Sequence, residues 1–238
     1  MKAAALTLAD IAQMSAYLRN LKAGVSCLED VAIRACRYFF ENLVCDEGRP
    51  ACVLVRFFVT YPYGRLPSEL QAIARGAIGN TEAPPDMRCL TLLGTAGEMP
   101  QWNSRHTSMG HKAIPFHSEE FVKSSPMISA LASQFGLEIQ GLINPSPEFF
   151  RERGERSFNV FYVPSARDSP MVPAQEDFVV PFGIQSALGF GGLLPSGDIF
   201  AMVLFTKVAL SHDIAELFKP VSLSLKLAVL EHASRVFA

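Results

Sequence analysis

The sequence predicts an α+β fold, and three features of it carry that expectation. Apolar residues recur at spacings of three and four near both ends, the period of amphipathic helices. Two runs rich in β-branched and aromatic residues, 51–64 (ACVLVRFFVTYPYG) and 87–97 (MRCLTLLGTAG), read as strands. Near the carboxyl end, Pro195, Ser196, Gly197 and Asp198 join two further strand-like runs, a gap whose chemistry favours a hairpin turn. The order of elements is helix, helix, strand, helix, strand, long excursion, strand, hairpin and closing helix.

The elements follow in turn. Thr7 is placed to cap a first helix whose face carries Leu8, Ile11, Met14, Leu18 and Leu21, and Gly24 breaks it. Leu28, Val31, Ala35, Tyr38 and Phe39 form the stripe of a second helix, closed by the turn at 45–50 (CDEGRP). Residues 1–45 are thus expected as a helical extension ahead of the first strand, in which Arg56 interrupts an apolar run. Pro67 and Ser68 open a helix with Leu70, Ile73, Ala74 and Ala77 along one side. The second strand then delivers the chain into 98–117 (EMPQWNSRHTSMGHKAIPFH), which holds the single tryptophan and three of the five histidines.

Ser118, followed by Glu119 and Glu120, predicts a capped helix, with a break before Pro126 and a second helix ending at Gly136. The run 137–150 is ambiguous, and 157–166 (SFNVFYVPSA) reads as a strand with aromatic residues at Phe158, Phe161 and Tyr162. A proline-punctuated loop follows, with one short helix near Ala174 to Val179. Gly189, Gly191 and Gly192 weaken the first hairpin strand unless a bulge or a ligand close to the backbone requires them. Their spacing is not G-x-G-x-x-G and no helix follows, which excludes a dinucleotide fingerprint. The closing helix, within 211–238, is apolar on two sides, so part of it is expected either deep in the core or against a second subunit. Pro220 should kink or restart it. The end lacks a glycine cap and reads as one module of a longer polypeptide.

With 238 residues and 49% of them apolar, the chain is expected to form a single domain, 1–238, with a substantial core. A net charge of −2 leaves no basic excess for phosphates, so nucleic acid is not an expected partner. The five cysteines are odd in number and lack a C-x-x-C spacing, which fits a reducing cytoplasm better than a disulfide scaffold. No secretory signal and no run of ~18 apolar residues is present, so no membrane span is expected.

The run 28–58 (LEDVAIRACRYFFENLVCDEGRPACVLVRFF) resembles the opening helix and first strand of the GAF domain, a relative of PAS domains. The run 187–232, from ALGFGGLLPSGDIF to LAVLEH, is similar to the closing hairpin and helix of that family. More narrowly, 51–230 resembles the sensor region at the amino end of some bacterial histidine kinases and cyclic-nucleotide enzymes. The resemblance implies a mostly antiparallel central sheet with terminal helices packed on one face and ligand-shaping loops on the other. It implies a regulatory sensor of bacterial signal transduction, often a homodimer through its terminal helices, acting on a fused or partner kinase or cyclase output domain. The long segment 97–157 departs from the family pattern. The cyclic-nucleotide motif N-K-x-D and a bilin-attaching cysteine–histidine pair are missing.

Within 98–117, His106, His111 and His117 are five and six residues apart, which is not a zinc spacing. One axial histidine would suffice for haem, but no signature demands it, and the cofactor is unknown. Trp102, Asn103, Arg105 and His111 offer an aromatic plane, an amide, a positive fork and an imidazole, a set suited to a small polar or anionic ligand. Cys89 on the second strand and Gly191 on the hairpin are the further candidate ligand contacts. The expected function is a non-catalytic, cytoplasmic sensor of a small molecule. Two alternatives stand beside it: a thiol-dependent enzyme of the methionine sulfoxide reductase kind, and a ligand-free dimerisation module.

Overall fold

The computed structural model describes residues 1–21, 24–134, 136–144 and 160–238. Phe158, expected on a strand, lies outside the described residues. The fold is α+β, built on a six-stranded antiparallel sheet of order β3-β2-β1-β6-β5-β4. The strands are β1 (Cys52–Pro62), β2 (Arg88–Gly97), β3 (Ala113–Pro115), β4 (Val160–Val163), β5 (Ser186–Leu193) and β6 (Ile199–Thr206). The hairpin β5–β6 returns through the middle of the sheet, and β6 pairs with β1 from Cys52↔Thr206 to Val59↔Phe200. Its turn is closed by the Leu194 amide donating to the Asp198 carbonyl at 2.8 Å, with Gly197 at φ +86. The Asp198 carboxylate is tied to Arg88 at 2.7 Å.

Helices α1 (Leu8–Arg19), α2 (Leu28–Asn42) and α3 (Ser68–Ala77) precede β2. Then α4 (Glu119–Lys123), α5 (Pro126–Gln134) and α6 (Ile139–Ile143) fill the central excursion, and α7 (His212–Glu216) and α8 (Phe218–Leu230) close the chain. Thr7 caps α1 through a reciprocal capping box with Asp10. The closing helix breaks at Leu217 and restarts so that Pro220 falls in the first turn of α8, where a missing N–H costs nothing. α2 has no side-chain cap. Its first amides, of Leu28 and Glu29, donate instead to the carbonyls of Arg235 and Val236 at 2.9 and 3.0 Å. The end of the described chain therefore sits on the N-terminus of α2.

Strand alternation divides the molecule. Val55, Phe57 and Val59 of β1, with Phe200, Met202 and Leu204 of β6, join the main core under α1, α2 and α8. Phe39 of α2, Phe190 of β5 and Phe218 of α8 meet at its centre. Leu54, Arg56, Phe58 and Thr60, with Ile199, Ala201, Val203 and Phe205, look to the opposite face. α2 presses onto β2 so closely that a Cβ on Gly94 would lie 2.5 Å from the Ala32 carbonyl carbon and oxygen.

Candidate functional site

The face of the sheet away from the terminal helices is roofed by α4–α6 and by the loop 166–182, and between sheet and roof lies a cavity of about 470 Å³. That volume is in the range of sites for small organic ligands. The walls are dominated by carbon. One end is aromatic, with Trp102, Phe178 and Phe205. The other is largely aliphatic, with Leu90, Ile114, Ile128, Leu142 and Ile199. Arg56 stands between them, and Thr60, His111, Ser125 and Asp177 add the few other polar groups.

The stretch 98–117 forms part of the rim. After β2 it makes a single turn at Pro100–Asn103 and returns to add β3 to the sheet edge. The Asn103 carboxamide accepts from the Gly97 amide at 3.0 Å and donates to the carbonyls of Gly97 and Met99. It therefore shapes the turn, and it does not line the cavity. Thr95 donates to the Trp102 carbonyl at 2.8 Å, which holds the indole against Phe178 and Phe182 in the wall. Gly110 and His111 both have left-handed backbones, φ +72 and +57. For a histidine that conformation costs about 1 kcal/mol or more, and here it directs the imidazole to the mouth. The residue is exposed to water and also lines the cavity. Enclosure and the nearby Arg56 charge hold its pKa below the ordinary histidine value, so it is neutral at neutral pH.

Arg105 points away from the cavity. Its Nε donates to Glu29 of α2 at 2.7 Å, and its guanidinium lies over the Phe237 ring, 5.6 Å from the centroid. Gly191 is not on the wall either. A Cβ there would fall 2.1 Å from the Phe200 carbonyl oxygen, so the backbone of β6 explains the glycine, while the Gly191 carbonyl accepts from Ser222 of α8. Cys89 faces Tyr63, Leu66, Leu70 and Ala74 beneath α3, and burial pushes its thiol up to about 12. The three histidines of the stretch go to three places: His106 beside Glu69, His111 at the mouth and His117 against Phe121.

Two features of the site stand outside the candidate set drawn from the sequence. Arg56, whose place in the strand allows either a ligand contact or, more often, a structural partner, is 7% exposed and pairs with no carboxylate among the described residues. Its only protein hydrogen bond of those described runs from Nη2 to Ser108 Oγ at 2.8 Å, and Nε has no partner. A lone arginine inside an otherwise apolar strand was the available signal. The second feature is the clamp on the roof. Gln175 donates to the carbonyls of Ala166 and Val172 and accepts from the Asp168 amide, at 2.8–2.9 Å. It opens a π-helical turn, Gln175–Val179, where a short helix was expected, and Ala174 before it is left-handed at φ +58.

The cysteines give an early chemical check. Cys27, Cys36, Cys52 and Cys89 are buried and Cys45 is half-exposed. N-ethylmaleimide should add once to the folded chain, at Cys45, and five times after denaturation, read by intact mass. Rapid labelling of Cys89 in the folded state would contradict the described packing.

No family model and no curated protein matches the chain. Among solved structures, it is similar to an N-acylhomoserine lactone dependent LuxR family transcription factor, CepR2, from Burkholderia cenocepacia. The identity is 12%, over 93% of this chain and 95% of that one, with a TM-score of 0.39. At that overlap the likeness decides neither fold details nor function.

Proposed function

We propose that the chain is a non-catalytic, GAF-like regulatory sensor that binds one small organic molecule in the cavity between the sheet and the roof. The observation that carries this reading is the cavity itself: about 470 Å³, apolar at both ends, with a few convergent polar groups around Arg56. Against a thiol enzyme built on Cys89 stands its burial, which pushes the Cys89 thiol, like that of Cys52, up to about 12 and leaves it protonated and poorly nucleophilic.

The contacts of the rim support a route for the signal. Trp102 and His111 touch the cavity, and Arg105 between them grips Glu29 of α2 and Phe237 of the tail. A ligand that favours one position of this loop would bias the tail through Arg105. Leu223 and Leu227, one turn apart on α8, are 45% and 46% exposed, which supports self-association through the terminal helices. The reading extends to a cytoplasmic homodimer acting on a kinase or cyclase output domain of a bacterial signalling system.

The single tryptophan reports on the site. The uncharged apolar dye N-phenylnaphthylamine should bind once per chain, gain fluorescence and quench Trp102. Ala201→Phe, which fills the cavity from β6, should abolish binding while the chain stays folded by circular dichroism. Equal dye binding by that variant would sink the placement.

A further inference from the structure

We infer that the cavity selects a singly charged amphipathic carboxylate, with its head on Arg56 and its single hydrocarbon tail along the aliphatic end. The inference rests on the cavity being a ligand site. It adds the chemical class of the ligand.

The argument begins with charge. Burying a guanidinium without a counter-ion costs several kcal/mol, so buried arginines are normally paired. Arg56 is more than nine-tenths buried, and its one protein partner among the described residues is the neutral Ser108 hydroxyl. Burial lowers its pKa to about 10, and it stays protonated at neutral pH. Its Nε is unpartnered, and the residue lies on the cavity wall. A planar fork with an unused donor matches the two oxygens of a carboxylate.

The surroundings narrow the head group further. His111, the other nitrogen base at the site, is neutral at neutral pH because enclosure and the Arg56 charge both disfavour its imidazolium. It can share a hydrogen bond with the head but adds no second positive charge. Asp177 stands on the roof side of the same cavity and disfavours additional negative charge. One cation, one neutral imidazole and a few neutral hydroxyls suit a monoanion better than a phosphate dianion.

The tail follows from the walls. Leu90, Ile114, Ile128, Leu142 and Ile199, with Phe116, form a surface with no charged group beyond Arg56 toward this end. Such a surface gains free energy from each methylene it removes from water, about 0.8 kcal/mol for each, and the Thr60 hydroxyl at this end is already engaged by the Ile199 amide and the Asp198 carboxylate.

Three probes of equal chain length test the class by displacement of N-phenylnaphthylamine at neutral pH: decanoate, decanol and decyltrimethylammonium. Decanoate should bind about tenfold more tightly than decanol or better, the factor expected of one charge-assisted hydrogen bond. Decyltrimethylammonium should displace the dye least. Arg56→Met should remove the preference for decanoate over decanol, and Arg56→Lys should keep its sign. Equal affinity for decanoate and decanol in the unaltered chain would overturn the inference, as would a preference that survives Arg56→Met. The comparison on the unaltered chain reads the head group even if Arg56→Met fails to fold. Dye that binds but resists all three probes overturns the carboxylate class and leaves the cavity a ligand site. Failure of the dye itself removes the ligand-site reading.

Discussion

Gly94→Ala is expected to destabilise the protein by about 3 kcal/mol, at the upper end of what one added methyl costs in a packed interior. The new Cβ would meet the carbonyl carbon and oxygen of Ala32 at 2.5 Å and the Ile33 amide nitrogen at 2.8 Å. These are backbone atoms in the middle of α2, so no side chain can rotate away. Either the helix lifts from β2 or the strand bows, and both break contacts of the main core. Urea denaturation should show a lower midpoint with an unchanged slope. Gly76→Ala provides the contrast. That glycine lies in the last turn of α3 with nothing within 4 Å of an added Cβ and no left-handed backbone. Alanine there should stabilise by up to about 1 kcal/mol, through propensity alone. If the two substitutions behave alike, the close approach of α2 to β2 is not as described.

Arg105→Met is expected to cost about 3 kcal/mol, because it strands the Glu29 carboxylate in a nearly buried position. The pair is 2.7 Å apart, with side chains 7% and 13% exposed. Glu29 sits in the first turn of α2, where the helix dipole offsets part of the loss. The double variant Arg105→Met, Glu29→Met should recover most of the stability, since two apolar side chains leave no unpaired charge. A local readout separates this from general damage. The amides of Leu28 and Glu29 are held by the carbonyls of Arg235 and Val236, and Phe237 lies under the guanidinium. Hydrogen exchange at those two amides should accelerate in the single variant more than exchange in β1. Unchanged protection there would mean that Arg105 does not connect the rim to the tail.

Periodicity and turn chemistry made most of the fold legible. The helical stripes at Ile11–Leu18 and Leu28–Phe39, the two apolar strands and the Pro195–Asp198 turn carry local signals that the tertiary structure keeps. β3 was missed because three residues ending in Pro115 show no period. The candidate site was only half legible. Residue type marked Trp102 and His111, which reach the cavity wall. Type alone could not tell that Asn103 folds back on its own turn, that Arg105 is already paired, or that the neighbour requiring Gly191 is the β6 backbone. Arg56 shows the reverse. Its importance lies in the lack of an acidic partner, which depends on where every other chain segment ends up.

The alternation along β1 separates two kinds of evolutionary freedom. Val55, Phe57 and Val59 answer to the helices, whereas Leu54, Arg56, Phe58 and Thr60 shape the cavity wall. Descendants of this protein can therefore reshape the cavity at those four positions while the other three keep the body intact. An insertion of a single residue in that strand would exchange the two sets and destroy both inheritances together.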